Sequence, residues 1–159
     1  MLPQVYIETS VISYLTARPP REFLRLARQA YTQSWWELRD TQFSPHISNL
    51  VLEEVSAGDY EAAQKRLSVC AGLPLLSISD NADALSREII NVGLVPETEP
   101  EDALHIAIAV DHAMDYIATW NFANLVGAQA RFALQTRIAA WGYKPPLLVT
   151  PEELLEEFS

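Results

Sequence analysis

The sequence lacks the features that define several large classes of protein. It contains one cysteine, Cys70, so it cannot form an internal disulfide, and this is typical of a reducing compartment. No apolar run reaches the roughly 18–20 residues of a membrane span. The N-terminus also has neither the basic start nor the small-residue cleavage site of a signal peptide. We therefore expect a soluble, cytoplasmic protein that does not bind a membrane.

Basic residues and phosphate-binding glycine loops are also scarce. Lys and Arg number 11 against 21 Asp and Glu, which gives a net charge of −10. This balance argues against sequence-independent binding along a nucleic-acid backbone, which needs basic stripes. It still allows a nuclease with an acidic metal centre and a few local bases. Neither G-x-G-x-x-G nor a Walker-type loop occurs, so the common nucleotide-binding folds are not indicated. The candidate local bases are Arg18, Arg21, Arg25, Arg28, Lys65 and Arg66.

Apolar residues make up 49% of the 159 residues, which is enough for the packed core of one domain spanning 1–159. Short β-type runs alternate with amphipathic helical segments, and this predicts an α/β fold with a parallel sheet covered on both faces. The predicted strands are 5–7, 43–47 (interrupted by Pro45), 75–78, 116–119 and 147–149. The predicted helices are 11–17, 21–39, 48–57, 59–71, 80–93, 100–113, 127–141 and 151–158.

Local signals mark several helix ends. Thr150 and Glu153 have the spacing of a capping box with a proline between them, and Thr98 and Glu101 have the same spacing. Thr9 or Ser10 is expected to cap the helix that follows the first strand. Glycines are expected to end the preceding helices at Gly72, Gly93 and Gly142.

The first acid of interest, Glu8, stands between a buried strand and a covered helix. Burial of an unpaired charge costs several kcal/mol, so Glu8 needs a positively charged partner or a bound metal. The sequence offers no dedicated basic residue for it. Because ligands of open α/β sheets collect at the carboxyl ends of strands, Glu8 and the 119–121 segment are the first candidates for a site.

Two further acids belong to helices. At about 100° per residue, Glu54 lies at the edge of the buried stripe of its helix, whereas Glu53 points to solvent. Asp102 opens the most apolar helix of the chain, on the side of Ile106. Simpler roles remain open at this stage, since Glu54 fits a rim position and Asp102 a favourable place near the helix dipole.

Three acids from separate elements would repel one another if the fold brought them together. A divalent cation is the simplest remedy, and oxygen ligands without cysteine or paired histidine favour Mg²⁺ or Mn²⁺ over Zn²⁺. Asn121 is either a turn residue or an oxygen donor to a metal-bound water. Ser10 and Thr119 are candidates for contacting phosphate or orienting a carboxylate.

His105 and His112 invite a zinc interpretation because they share one face of a helix. Seven residues at 1.5 Å each separate them by about 10.5 Å, which is too far to share a metal. Packing or a half-buried hydrogen bond is the expected role of His105.

Four segments resemble, in order, the motifs of PIN domains, particularly those of bacterial VapC-type toxins. They are 5–12 (VYIETSVI), 48–55 (SNLVLEEV), 102–107 (DALHIA) and 116–121 (YIATWN). The serine six residues ahead of the second acid selects Glu54, as the helical geometry does. The resemblance covers the whole chain. It departs from the usual pattern in having Glu8 where the first acid is commonly Asp, and Asn121 where the fourth is often Asp.

The resemblance implies a five-stranded parallel α/β/α sandwich and a Mg²⁺- or Mn²⁺-dependent endoribonuclease. Glu8, Glu54 and Asp102 would hold the metal, Asn121 would complete the catalytic set, and Ser10 and Thr119 would contact substrate. It also implies an RNA substrate, frequent homodimers and a cognate antitoxin as in type II toxin–antitoxin systems. The alternative is a catalytically weak PIN-like interaction module whose acidic pocket binds a partner's basic residue. A flap-type DNA nuclease fits less well, because it needs basic elements that this acidic chain lacks.

Overall fold

The first strand of the chain lies at the centre of the sheet. In the computed structural model, which describes residues 1–121 and 128–156, five strands pair in the order β3-β2-β1-β4-β5. Every pairing is parallel, as the alternating pattern predicted. The strands are β1 (Gln4–Ile7), β2 (Ser44–Ser48), β3 (Leu75–Leu76), β4 (Tyr116–Ala118) and β5 (Leu147–Val149).

Helices connect these strands and cover the sheet. Successive strands run outward from β1 to β3 and then cross to β4 on the other side, so right-handed crossovers place the connecting helices on opposite faces. The predicted α/β/α sandwich is therefore confirmed. The helices are α1 (Thr9–Thr16), α2 (Phe23–Gln42), α3 (Asn49–Val55), α4 (Tyr60–Cys70), α5 (Asp80–Asn91), α6 (Pro100–Asp111), α7 (Ala128–Ala140) and α8 (Pro151–Glu156).

One continuous hydrophobic core joins the central strands to the helices. Helix α2 packs on α1 and α8, and α5 packs on α6. Helix α6 buries Ala103 and an unbroken run from His105 to Val110, as the apolar sequence of this segment predicted. None of the helices among these residues is long and apolar enough to cross a membrane.

The second strand tolerates a proline because of its position. Pro45 is buried and lies opposite Val5 of β1, whereas β3 pairs only with Ile47 and Ser48. Pro45 therefore faces no β3 partner that would need its missing N–H. Strand β3 is also shorter than predicted, since only two of the expected four residues pair.

The two sequences with capping-box spacing behave differently. At Thr150 the box forms, since Glu153 N–H donates to Thr150 Oγ1 at 3.1 Å and Thr150 N–H donates to Glu153 Oε1 at 3.0 Å. At Thr98 the prediction is wrong, because α6 begins at Pro100 and its N-cap is Glu99, which makes no side-chain cap. Proline favours the first position of a helix, so Pro100 fixes the start of α6 at residue 100. For Thr98 to be the N-cap, the helix would have to start at residue 99.

The glycines predicted to end helices do so in the structure. Gly72, Gly93 and Gly142 follow α4, α5 and α7 with φ of 84°, 79° and 91°, a conformation that glycine adopts without strain. The predicted helices 127–141 and 151–158 correspond to α7 and α8. Residue 127 and residues 157–158 of those predictions lie outside the described residues.

Candidate active site

The candidate site lies where the strand order changes direction. From β1 the chain continues to β2 on one side, whereas β4 pairs with β1 on the other side. Glu8 follows β1 directly and Thr119 follows β4 directly, so their side chains meet at the carboxyl ends of two paired strands. Crevices of this kind are where α/β sheets bind ligands.

Glu8 is buried, with 4% of its surface exposed, and hydroxyl groups surround its carboxylate. Its Oε1 accepts hydrogen bonds from Thr119 Oγ1 at 2.7 Å, from Ser10 N–H at 3.1 Å and from Ser10 Oγ at short range. Through Ser10 N–H, Glu8 itself caps α1, so the prediction that Thr9 or Ser10 would be the cap is wrong. Within the described residues no lysine or arginine pairs with Glu8, so hydrogen bonds and not an opposite charge hold its carboxylate.

Glu54 reaches inward and Glu53 is exposed, as the helical geometry predicted. Its Oε1 accepts hydrogen bonds from Thr9 Oγ1 at 2.5 Å and from His105 Nε2 at 2.6 Å. Burial alone raises the pKa of Glu54, but its interactions with His105 and the hydrogen bond from Thr9 outweigh burial and lower the pKa below its ordinary value. Glu54 is thus held as a carboxylate in a fixed orientation.

A buried polar network lies beneath Glu54. His105 is 1% exposed and Tyr6 is fully buried, and the Tyr6 hydroxyl lies 2.5 Å from His105 Nδ1 and 2.7 Å from Ser48 Oγ. Burial raises the pKa of the Tyr6 phenol, as do Glu8 and Glu54, so the hydroxyl keeps its proton. The expected role of His105 as a hydrogen-bonding residue is confirmed, although the side chain is fully buried.

Asp102 is the acid whose charge is least compensated. It is half-buried at the start of α6, and its carboxylate makes no hydrogen bond or ion pair with the part of the chain that the structure describes. Burial and the negative charges of Glu99, Glu8 and Glu54 raise its pKa to about 6, against a smaller opposing effect of His105. The three predicted acids are therefore close enough for their charges to act on one another.

Asn121 stands at the exposed margin of this site. Its backbone N–H donates to Thr119 Oγ1 at 3.0 Å, and its side chain makes no hydrogen bond to residues 1–121 or 128–156. The fold thus places Asn121 beside Thr119. A role for its amide oxygen remains a prediction.

The carboxylate oxygens of these acids are ligands of the type that a hard divalent cation prefers. They do not, however, form a complete coordination shell. Among residues 1–121 and 128–156, no three His, Cys, Asp or Glu side chains are arranged to hold a metal ion. Oε1 of Glu8 and Oε1 of Glu54 both face hydroxyl or imidazole groups instead. The raised pKa of Asp102 marks excess negative charge at the same place, which a cation would relieve.

Sequence reasoning named Ser10 and Thr119 as residues that could orient a carboxylate, but it gave no site role to Thr9, Tyr6 or His105. Thr9, Tyr6 and Trp120 touch the site through hydroxyl or backbone groups, and Trp120 N–H donates to Ser10 Oγ at 2.9 Å. The available signal was a tyrosine in a strand buried on both faces and a histidine in an apolar helix, because buried polar groups need partners. His112 binds Ser77 O at 2.9 Å instead of sharing a site with His105.

The candidate basic residues differ in the partners that their side chains contact. Arg28 lies over the Trp120 ring, with its guanidinium carbon 5.5 Å from the ring centroid, and donates to Tyr14 at 3.5 Å. Arg25 is paired with Glu22, and Arg66 donates to the carbonyls at the end of α3. Arg18 and Lys65 line a groove of about 400 Å³ beside α1. Arg28 is therefore the base that direct contacts link to the acidic site.

Comparison with known proteins gives a consistent result. No protein-family model and no curated protein matches the sequence. Several solved structures match the fold at low sequence identity, and three of them are toxin–antitoxin proteins. VapBC2 from Rickettsia felis, bound to a DNA fragment from its promoter, is 18% identical with a TM-score of 0.58, over 92% of this chain and 98% of that one.

The other two matches are of the same quality. VapC20 of Mycobacterium tuberculosis, described as a Sarcin-Ricin loop cleaving toxin, is 15% identical with a TM-score of 0.59, over 76% of this chain and 92% of that one. A toxin–antitoxin complex from Klebsiella pneumoniae is 16% identical with a TM-score of 0.57, over 92% and 97% of the two chains. The chain thus has the PIN-like fold of VapC-type toxins, as its four motifs predicted.

Proposed function

We propose that this chain is a Mg²⁺- or Mn²⁺-dependent endoribonuclease of the VapC toxin type. The proposal is supported by the effect of the Glu8 and Glu54 charges, which help to raise the pKa of Asp102, and by the lack of a lysine or arginine paired with any of these acids in the described residues. Structural carboxylates in such a place are normally paired. A set of acids with no paired lysine or arginine in the described residues suits a site that receives a cation.

Glu8, Glu54 and Asp102 would hold this cation. When bound, it would polarise a phosphodiester and lower the pKa of a water molecule, which is the chemistry that hydrolysis of RNA requires. Ser10 and Thr119 keep the Glu8 carboxylate in place through hydrogen bonds, and Thr9 and His105 do so for Glu54. These partners fix two acids before any ligand arrives.

The RNA strand needs positive charge close to this acidic cleft. Trp120 is fixed by its backbone hydrogen bond to Ser10 and by its indole N–H, which donates to Thr32 at 2.9 Å. Its ring in turn holds Arg28 beside the cleft. Arg28 is accordingly the first candidate for a contact with an RNA phosphate, with Ser10 and Thr119 contacting substrate nearer the acids and Asn121 at the margin.

The fold supports the biological part of the proposal. VapC20 is described as cleaving the Sarcin-Ricin loop, and the Klebsiella protein was solved as a toxin–antitoxin complex. By analogy, we propose a cytoplasmic toxin that cleaves RNA, forms a homodimer and is inhibited by a cognate antitoxin.

Cleavage of RNA in the presence of Mn²⁺ tests the activity. We expect the wild type to cut and both Glu54→Gln and Asp102→Asn to lose cleavage, while Glu53→Gln, altered at the exposed neighbour of Glu54, retains it. Cleavage that persists unchanged in Glu54→Gln and Asp102→Asn contradicts the assignment of these residues.

A second candidate function is a PIN-like interaction module with little activity. It is favoured by the absence, in the described residues, of three acids arranged to hold a metal, and by Glu8 and Asn121 at positions where Asp is usual. In this case the acidic pocket would receive a basic side chain from a partner. Calorimetry separates the two functions, because the module would give no binding heat with millimolar Mn²⁺ and no thermal stabilisation.

A further inference from the structure

A chain of hydrogen bonds runs from the start of α3 through the core to the Glu54 carboxylate. Val51 N–H donates to Ser48 Oγ at 3.2 Å, and Ser48 Oγ lies 2.7 Å from the Tyr6 hydroxyl. That hydroxyl lies 2.5 Å from His105 Nδ1, and His105 Nε2 lies 2.6 Å from Glu54 Oε1. The path joins β1, β2, α3 and α6.

The direction of this chain follows from its two ends. Val51 N–H can only donate, and the Glu54 carboxylate can only accept, so Nε2 of His105 carries a proton. If Ser48 donates to Tyr6 and Tyr6 donates to Nδ1, every proton in the chain has an acceptor. In the opposite direction the Ser48 hydroxyl proton has no acceptor in the described part of the chain, although Ser48 is fully buried. A buried donor without a partner costs about 1–3 kcal/mol.

We propose that Tyr6 is a positioning residue that fixes His105 in the tautomer with its proton on Nε2 and thereby orients Glu54. Ser48 holds the Tyr6 hydroxyl in turn. The inference rests on the proposed function, because the orientation of Glu54 matters for a cation only if Glu54 is a ligand. Tyr6, Ser48 and His105 lie outside the set of three acids, and none of them would contact the cation.

Core packing alone does not require this arrangement. Phenylalanine and an apolar side chain would fill the same volume as Tyr6 and His105 without the cost of burying polar groups. The chain instead leads to Glu54, the one member with appreciable exposure, at 29% of its side chain against 1% for His105. Fully satisfied buried networks specify one orientation of their members. Glu54, the residue that this network orients, faces the cleft.

Nitrogen NMR of the His105 ring in the metal-free protein tests the tautomer directly. The chain has three histidines, and His105→Gln assigns the signals. In the wild type we expect Nδ1 to be unprotonated and Nε2 protonated. Tyr6→Phe removes the donor to Nδ1 while Glu54 still accepts from Nε2, so we expect the Nδ1 signal to move further from that of a protonated nitrogen, toward that of an unprotonated nitrogen without a hydrogen bond. The matched control is Tyr143→Phe, which removes a phenol that bonds Asn81 on the surface. A proton on Nδ1 in the wild type, or no change in Tyr6→Phe, overturns the proposal.

A double-mutant cycle on Mn²⁺ affinity separates positioning from a general loss of stability. Loss of an outer-shell partner typically weakens metal binding about 10- to 100-fold, and we expect this range for Tyr6→Phe and for His105→Gln. If Tyr6 acts through His105, adding Tyr6→Phe to His105→Gln causes no further loss. Losses that multiply in the double variant contradict the proposal. A wild type that binds no Mn²⁺ contradicts the proposed function, while the nitrogen signals still decide the role of Tyr6.

Discussion

His105 Nε2 lies 2.6 Å from Glu54 Oε1, and this contact links two residues that are 51 positions apart in the sequence. Asp102 precedes His105 by three residues on α6, so the two side chains lie on neighbouring positions of one helix face. Helix α6 therefore supplies one acid of the site and the hydrogen-bond donor that orients another. A displacement of α6 would disturb both carboxylates together.

Replacement of Glu54 by glutamine is expected to abolish RNA cleavage with Mn²⁺. The loss in kcat/KM should reach about 100-fold or more, because removal of an outer-shell partner alone costs 10- to 100-fold. Glu53→Gln changes the same charge one residue away and should cleave like the wild type. Equal activity of the two variants, measured on one RNA under the same conditions, would count against the site.

Asp102→Asn is expected to stabilise the metal-free protein at neutral pH. The pKa of Asp102 is raised from 3.8 to about 6, so the folded state binds this proton more tightly than the unfolded state. Ionisation of Asp102 therefore destabilises the folded protein. This destabilisation is absent below about pH 4 and complete above about pH 6. A shift of this size corresponds to about 3 kcal/mol, of which solvent screening of a half-exposed group leaves about 1 kcal/mol.

Urea unfolding in EDTA at pH 4 and pH 7.5 measures this effect. The gain from Asp102→Asn should appear at pH 7.5 and vanish at pH 4. Glu101→Gln is the matched control, since Glu101 is exposed in the same first turn and should give no gain. A gain of the same size at both pH values would show that ionisation of Asp102 is not its cause.

Mn²⁺ is expected to raise the unfolding temperature, and EDTA should reverse the change. At a hundred times the dissociation constant the stabilisation is about 2.7 kcal/mol, which corresponds to roughly 5–10 °C for a chain of this size. In Asp102→Asn and Glu54→Gln the shift should be lost. Differential scanning fluorimetry with and without the ion measures it, and an unshifted wild type would favour the interaction module.

Arg28→Gln is expected to weaken RNA binding for all sequences alike. If Arg28 contacts a phosphate, the slope of log K against log salt should fall by about one. Arg87→Gln is the control, because Arg87 is an exposed arginine already paired with Asp83 on α5. Fluorescence anisotropy with a labelled oligonucleotide at several salt concentrations, without metal, gives the slopes. Identical slopes for the wild type and Arg28→Gln would remove Arg28 from the interface.

Thr150→Ala is expected to cost about 1 kcal/mol of stability, because its hydroxyl caps α8. Thr98→Ala should cost almost nothing, although Thr98 has the same spacing to a glutamate. Denaturant unfolding of the two variants at pH 7 compares them. A loss at Thr98 equal to that at Thr150 would mean that Thr98 caps α6 in solution.

The strands, the helices and the inward acids could be predicted because they follow local rules. Periodicity separated Glu54 from Glu53, and the strand–helix alternation led to the parallel sheet. The capping of α1 by Glu8 was not predicted, since Thr9 turns away to Glu54 on another helix. Such a choice depends on a contact between distant residues, which the local sequence does not contain.

The network of Tyr6, Ser48 and His105 was missed for the same reason. Each residue has an ordinary local explanation: a strand residue, a helix cap and a histidine in an apolar helix. Their shared hydrogen bonds arise only when β1 lies beside β2 and α6 packs over the sheet. A search for buried hydroxyls that need partners would have brought Tyr6 and His105 to attention, but not their pairing.

The central place of β1 has a consequence for the time at which the protein becomes active during synthesis. Thr119, which holds the Glu8 carboxylate, follows the neighbouring strand β4 and is made more than a hundred residues after Glu8. A nascent chain therefore carries its first acid long before it has a working cleft. Under the proposed function, this order of assembly would spare the ribosome that is still translating the chain.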